Sequence, residues 1–414
     1  MAENAVIAGI DINDKEVQIC VYDEESKEVK SAPAGMASPK CIFPARLLYF
    51  PRTEKWRFGT EADFFANQKD GVMISDILNL CENQDEVFVG SGKNLETTQV
   101  AAELLRQVLS LAGVKNPAVQ IKSLMVTMPA VTVKLAETFR KAFAVLMIEK
   151  NAFIQSYDES FYYRAMISHP ENFRNKAGMF LFDEENHVTF HELTLNRQTR
   201  PATATARTGD TIELPEADEE RDRVFLDFAK EVIGSELFTS IYLVGRGFDK
   251  KWSPFSVAFL CQQGRRVFHG DNLYAGGACY AAREKTNGGR TLDGYMFLGQ
   301  DILQKNIGLD LLENGRPVYV PLVSAGSHWY EAEGSCEMIL DEPGRVVFRV
   351  DSLEKNKHSD LEMQLAGFPE RPRKTTRLKI TAHYENSREC IVTVEDLGFG
   401  ELFPATGRKW TETI

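Results

Sequence analysis

The stretch that decides the fold lies near the start of the chain: "VIAGIDINDKEVQICVYD", Val6 to Asp23. Two apolar runs flank a short polar segment from Ile12 to Glu16, which is the pattern of a β-hairpin with a tight turn. In some hairpins of this form, the backbone N–H groups of the turn hold the phosphates of ATP. The residues of the turn therefore decide whether the chain can bind a nucleotide there.

Length and composition bound the class of protein. The chain has 414 residues with 43% hydrophobic and 26% charged side chains, which predicts two to three globular domains. The net charge of -12 argues against nucleic-acid and anionic-membrane partners, because both need clustered lysine and arginine. Seven dispersed cysteines without a CxxC pair favour a reducing compartment. We therefore expect a cytoplasmic protein.

Segment patterns divide the chain into an α/β part and a β part. Apolar residues at helical spacing predict a helix at Thr97–Leu111, and a second helix should run from Thr132 to about Met147. The polar, Thr- and Arg-rich stretch from Asn196 to Leu214 is predicted to be a loop. Short strand patterns dominate from about residue 295 to residue 414 and indicate a mostly β domain.

Seven fragments, in this order along the chain, resemble the actin-like ATPase superfamily and, within it, the DnaK-type heat-shock chaperones. The fragments are "IAGIDINDKEVQICVYD", "SPKCIFPARLLYFPRTEKWRFGTEA", "SLMVTMPAVTVKLAETFRKAFAVL", "GMFLFDEENHVTFHEL", "IYLVGRGFD", "GDNLYAGGACYAA" and "LKITAHYENSRECIVTVEDLGFGELF". The resemblance implies an α/β two-lobed actin-like ATPase fold followed by an all-β sandwich. It implies lobe I at residues 1–150, lobe II at 151–290, and a sandwich resembling a chaperone substrate-binding domain at 291–414.

The resemblance also places a nucleotide site, in a degenerate form. Its positions fall on Asp11, Asn13, Lys15, Asp183, Gly245 and Gly247. Several neighbouring residues depart from the family pattern of glycines and hydroxyls: Asn13, Asp14, Glu184, Glu185 and Arg246. A carboxylate beside a phosphate is repulsive, and a side chain between the two glycines would crowd a base or ribose. We therefore expect no catalytic residue and no ATP turnover.

A deletion strengthens this expectation. In the chaperones, a whole subdomain that closes over the adenine lies between the second phosphate hairpin and the adenosine motif. Here the corresponding span, Leu195 to Ile241, leaves only a loop and a helix. The upper subdomain of lobe II is therefore expected to be absent, so the cleft would lose the water-excluded environment that electrostatic catalysis needs.

Two further regions carry expectations. By resemblance, Leu312 and Val346 would contact an extended peptide bound to the sandwich. The apolar stretch "LDGYMFLGQDIL", Leu292 to Leu303, corresponds to a linker that docks on the lobes in one nucleotide state. Because that many apolar side chains would associate if left in water, we expect the stretch to stay docked.

The sequence therefore favours a DnaK-like protein with a degenerate nucleotide site, acting as a binding, scaffold or chaperone-like module without ATPase activity. A protein or peptide partner is expected, with no cofactor, no metal site, no nucleic acid and no membrane. The alternative is a chaperone-type ATPase that binds Mg-ATP or Mg-ADP in a remodelled cleft. A third possibility is a subunit of an actin-like assembly.

Overall fold

The structure, a computed structural model, describes residues 5–33, 41–67, 70–90, 92–168, 176–183, 186–248, 251–341, 344–353 and 357–414. The chain divides into two compact units, Met1–Gly299 (unit 1) and Gln300–Ile414 (unit 2). The boundary expected from the sequence, between residues 290 and 291, lies before this division.

Unit 1 is an α/β structure. Its strands are β1 (Val6–Ile12), β2 (Glu16–Asp23), β3 (Glu28–Ser31), β4 (Ile42–Pro44), β5 (Leu47–Phe50), β6 (Lys55–Phe58), β7 (Val72–Ile74), β8 (Glu86–Phe88), β9 (Asn94–Glu96), β10 (Ile121–Met128), β11 (Ala152–Ser156), β12 (Lys176–Phe182), β13 (His187–Asn196), β14 (Ala202–Glu213), β15 (Phe238–Val244), β16 (Arg266–His269) and β17 (Tyr295–Phe297). Its helices are α1 (Gly59–Phe65), α2 (Ile77–Asn83), α3 (Thr97–Leu111), α4 (Pro117–Gln120), α5 (Val133–Val145), α6 (Tyr157–Ile167), α7 (Asp218–Ile233), α8 (Pro254–Leu260) and α9 (Leu273–Asn287).

Two larger sheets share one topology. Sheet I has the order β11-β10-β1-β2-β3, with β4 beside β2, and sheet II has the order β16-β15-β12-β13-β14-β17. In sheet I, β2 pairs antiparallel with both β1 and β3. On the other side of β1, β10 pairs parallel with β1 and β11 pairs parallel with β10. Sheet II repeats this pattern with β12, β13, β14, β15 and β16. Unit 1 therefore consists of two halves in which β1 corresponds to β12 and α6 corresponds to α9.

Helices α6 and α9 form the layer between the two sheets. One apolar cluster joins α6 and α9 to sheet II, and another joins α9 to β1 and β2 of sheet I. The layer is closely packed: a Cβ atom on Gly277 of α9 would lie 1.9 Å from the backbone oxygen of Ser160 in α6. A further cluster packs α7 and α8 against sheet II. The carboxyl end of β1 in sheet I therefore lies near the first residues of α6 and α9.

Local patterns predicted several elements correctly. The helix at Thr97–Leu111 and the strand at Val6–Ile12 are confirmed, and the second predicted helix runs from Val133 to Val145. Their apolar residues repeat at the period of the element that they form, and these faces are buried in the core.

The expected loop from Asn196 to Leu214 is wrong. Residues Ala202–Glu213 form β14, a strand that pairs with β13 along most of its length. Most of the residues from Thr205 to Glu213 are exposed, so the strand lacks the apolar alternation by which it could have been recognised. Its threonines favour extended backbone. The span from Leu195 to Leu214 thus holds the turn and second strand of the β13–β14 hairpin, and it contains no inserted subdomain.

Part of the linker stretch forms a strand of sheet II. Tyr295–Phe297 forms β17, which pairs in parallel with Ala202–Ala204. The ring of Phe297 stacks on Tyr162 of α6, with centroids 4.9 Å apart. Residues 295–297 are thus packed on unit 1, and the expectation that the stretch stays docked independently of ATP stays a prediction.

Unit 2 is built mainly of strands. They are β18 (Lys305–Glu313), β19 (Arg316–Val323), β20 (Glu333–Ile339), β21 (Arg345–Ser352), β22 (Lys357–Gln364), β23 (Arg377–Asn386), β24 (Glu389–Gly398) and β25 (Lys409–Thr413). They form two four-stranded sheets, β19-β18-β21-β22 and β20-β23-β24-β25. Alternate residues of the strands are buried, Val346, Phe348 and Val350 in β21 among them, so each sheet has one core face. The mostly β domain expected from the sequence is confirmed, while the assignment of both units to DnaK-like folds stays a prediction.

Candidate functional site

A row of polar residues crosses sheet I where its parallel strands end. Asp11 of β1 lies opposite Gln18 of β2 and Thr127 of β10, and Thr127 lies opposite Gln155 of β11. Residues in cross-strand register share one face of a sheet. Ligands of α/β sheets bind beyond the carboxyl ends of the strands, so this row is the candidate site.

Tyr157 covers Asp11. Its hydroxyl donates to Asp11 Oδ1 at 2.6 Å, and Asn13 Nδ2 donates to the same hydroxyl at 3.4 Å. The ring stacks on Tyr274 with centroids 3.7 Å apart and planes 9° apart. Because α6 and α9 are corresponding helices, the two halves of unit 1 place one tyrosine each at the start of the central layer. Tyr157 contacts Asp11, and the hydroxyl of Tyr274 lies 3.8 Å from the sulfur of Met179.

Burial controls the protonation of this cluster. It raises the pKa of Asp11 from 3.8 to about 7; the hydrogen bond from Tyr157 opposes the shift and the Glu16 carboxylate adds to it. Burial, with the Asp11 charge next, also raises the pKa of Tyr157. Tyr157 therefore remains a hydrogen-bond donor, and Asp11 is neutral in a large fraction of molecules near pH 7.

The turn of the first hairpin is occupied by its own side chains. Asn13 Oδ1 accepts hydrogen bonds from the backbone N–H groups of Lys15 and Glu16, both at 2.9 Å. Asp14, expected to repel phosphates, instead accepts from the N–H of Asn79 in the first turn of α2 at 3.0 Å. Asp14 therefore caps α2, and two amides of the turn bind Asn13 instead of facing a ligand.

The second hairpin uses its carboxylate internally. Asp183 Oδ1 accepts from the backbone N–H of His187 at 2.9 Å, and Asn186 has a left-handed φ of 62°. Asp183 follows the end of β12, whereas Asp11 is the penultimate residue of β1. The residue of β12 that corresponds to Asp11 is Leu181, so the two halves do not present a matched pair of carboxylates. Glu184 and Glu185 lie outside the described residues.

Gly245 and Gly247 pack against their own half of unit 1. A Cβ atom on Gly245 would lie 2.1 Å from the backbone oxygen of Phe182, and Gly245 has a φ of 103°. A Cβ atom on Gly247 would lie 2.1 Å from the ring of Phe182, while the Gly247 carbonyl accepts from Trp252 Nε1 at 2.7 Å. These glycines are therefore explained by close packing of the loop after β15.

Arg246, between these glycines, extends to the other half of unit 1. Its guanidinium forms an ion pair with the carboxylate of Glu16 at the start of β2. The sequence led us to expect that Arg246 would crowd a base or ribose. Its side chain instead connects the loop after β15 with the first hairpin. In this structure the side chains of Asn13, Asp183 and Arg246 thus contact protein groups of the two hairpins.

The sequence did not reveal Tyr157, Tyr274, Gln18 or Gln155 as site residues. Gln18 Nε2 and Gln155 Oε1 are buried and have no hydrogen-bond partner among the described residues. Only the strand register and the stacking of two distant helices bring these side chains together, and a local motif records neither.

In unit 2 the two predicted peptide contacts have different environments. Leu312 near the end of β18 is 74% exposed, whereas Val346 in β21 is 3% exposed and belongs to the core. A groove of about 470 Å³ lies elsewhere, lined by Gly344, Phe368, Pro369, Glu370, Arg371 and Pro372. The structure therefore leaves Leu312 available for contact and assigns Val346 to packing.

None of the helices in the described ranges has the length and hydropathy of a membrane span.

Two family models match the chain, and the boundary between them agrees with the boundary between the two units. Residues 28–300 match the model described as "Family of unknown function (DUF5716) C-terminal". Residues 302–414 match "Domain of unknown function (DUF8552)". No curated protein matches the chain. Since the first model spans more than half of its length, the chain belongs to the DUF5716 C-terminal family.

Proposed function

We propose that this protein is a DnaK-like binding or scaffold module whose actin-like nucleotide cleft is inactive. The observation that carries the proposal is the contact of Tyr157 with Asp11, reinforced by the stack on Tyr274. A metal-bound phosphate at Asp11 would have to displace this tyrosine and break its hydrogen bond to the carboxyl, which is unfavourable. It would also need an ionised Asp11, which burial opposes.

The rest of the cleft supports the same proposal. Leu181 replaces a second strand-end carboxylate, and Asp183 is bound to the backbone of its own turn. The short span from Leu195 to Ile241 provides a strand and a helix in place of a covering subdomain. We also propose a cytoplasmic location, since the seven cysteines are all free and mostly buried.

Calorimetric titration of the full chain with Mg-ATP and Mg-ADP tests the nucleotide part. We expect no heat of binding below millimolar concentration and no phosphate release. Thermal unfolding with the same ligands serves as a second measurement, because a ligand that binds only the native state raises the unfolding temperature. Micromolar, magnesium-dependent binding would refute the proposal and favour the alternative, an ATPase with a remodelled cleft.

The binding part predicts that unit 2 takes an extended apolar peptide near Leu312. Fluorescence anisotropy with a labelled, unstructured apolar peptide would measure it. We expect Leu312→Ser to weaken binding about tenfold, the effect of losing one large apolar contact. Leu402→Ser is the matched control, because Leu402 is 87% exposed in the turn between β24 and β25, away from β18 in sequence. Equal affinity of the wild type and both variants would contradict a peptide site at Leu312.

A further inference from the structure

The ion pair of Arg246 and Glu16 connects the two halves of unit 1 at the mouth of the cleft. Glu16 begins β2 of sheet I, and Arg246 follows β15 of sheet II. The Glu16 side chain is 27% exposed and that of Arg246 is 64% exposed. The contact is therefore open to solvent on one side.

Packing and hydrogen bonds hold the backbone on both sides of the ion pair. The loop that carries Arg246 is fixed by the packing of Gly245 and Gly247 on Phe182 and by the hydrogen bond from Trp252. The N–H of Glu16 donates to Asn13 Oδ1 within the hairpin turn. Anchored ends lose less conformational freedom when they pair, so this pair is better placed than an average surface ion pair.

We infer that the Arg246–Glu16 ion pair is a clasp that favours the closed arrangement of the two halves without nucleotide. The inference rests on the proposed function, since it assigns to two side chains the bridging role that a nucleotide would otherwise have. The clasp acts together with the stack of Tyr157 on Tyr274, which also joins the halves. Because exposed ion pairs are weak, the clasp shifts the closed-to-open equilibrium by up to about fivefold.

Hydrogen–deuterium exchange of the full chain tests the clasp. The variants are Arg246→Gln, Glu16→Gln and the double variant, and Arg266→Gln is the control because it removes an exposed arginine from the neighbouring strand β16. We expect peptides covering residues 12–18 and 243–248 to exchange about three- to fivefold faster in each single variant. The double variant should match the singles, because either substitution already removes the pair. The control should match the wild type.

Unchanged exchange in both single variants, or effects that multiply in the double variant, would overturn the clasp and leave the proposed function standing. Slower exchange of the wild type with micromolar Mg-ATP in the same experiment would overturn the proposed function, and with it the bridging role of the clasp. Added salt gives an independent check. Exchange of the wild type should accelerate between about 0.05 and 0.5 M NaCl, and exchange of Arg246→Gln should not.

Discussion

Replacing Asp11 by asparagine should make the stability of unit 1 less dependent on pH. The pKa of Asp11 is raised from 3.8 to about 7, chiefly because burial disfavours its charge. Between these two values the folded protein retains a proton that the unfolded chain has lost. The free energy of unfolding therefore falls as the pH rises through this window, and it levels off above about pH 7. The side chain of asparagine cannot titrate, so this dependence should disappear in the variant.

The size of the effect follows from the shift. At about 1.4 kcal/mol for each tenfold change in proton affinity, a pKa of about 7 instead of 3.8 corresponds to an upper limit of about 4 kcal/mol. Asp11 retains part of its exposed surface, and solvent screening reduces the limit, so we expect roughly 2 kcal/mol. The amide oxygen of asparagine can still accept the hydrogen bond from Tyr157, which keeps the comparison close to charge alone.

Native-state hydrogen exchange in urea is the assay, because peptides from β1 report on unit 1 separately from unit 2. From pH 4 to pH 8, a range that covers the whole window between the two pKa values, the wild type should lose roughly 2 kcal/mol more than Asp11→Asn. Asp183→Asn is the control, since its side chain is 51% exposed and lies on the corresponding hairpin. Parallel pH profiles for the wild type and Asp11→Asn would refute the reasoning that a buried, largely neutral carboxyl lies beneath Tyr157.

Three further outcomes are expected. Arg371→Ala should destabilise unit 2 by about 3–5 kcal/mol in urea unfolding, because it leaves the fully buried Asp396 carboxylate without its bidentate partner; a loss below about 1 kcal/mol would contradict this. In limited proteolysis, cleavage within Leu292–Leu303 should be slow, and its rate should be the same with and without Mg-ATP. Rapid or ATP-sensitive cleavage there would show that the docking of β17 is loose. Gly247→Ala should lower the melting temperature measurably, as its methyl group would overlap the Phe182 ring, and an unchanged temperature would mean that the loop yields freely.

The sequence predicted those helices and strands whose apolar residues repeat along one face at the period of the element. The first hairpin and α3 alternate or repeat at their own period, and their limits agree with prediction. Strand β14 was missed because its exposed residues are almost all polar and because only pairing with β13 makes it a strand. Neither its composition nor its spacing distinguishes it from a loop.

The candidate site was predictable only in part. Asp11 and Asp183 were identified as positions, but what their carboxylates bind depends on residues elsewhere in the fold. Tyr157 reaches Asp11 because α6 begins beside the end of β1, and Arg246 reaches Glu16 across the two halves. Such partners follow from the packing of the central layer, which no motif in one segment records.

The shared central layer means that neither half of unit 1 is an independent folding unit. Helix α6 follows β11 of the first half and α9 follows β16 of the second, yet each is buried largely by the other and by the opposite sheet. At Gly277 the two helices touch backbone to backbone, so there is no space for water or for a substitute side chain between them. When only the first half has emerged from the ribosome, one apolar face of sheet I is therefore uncovered. That face can be covered only when α9, about a hundred residues later in the chain, emerges and docks.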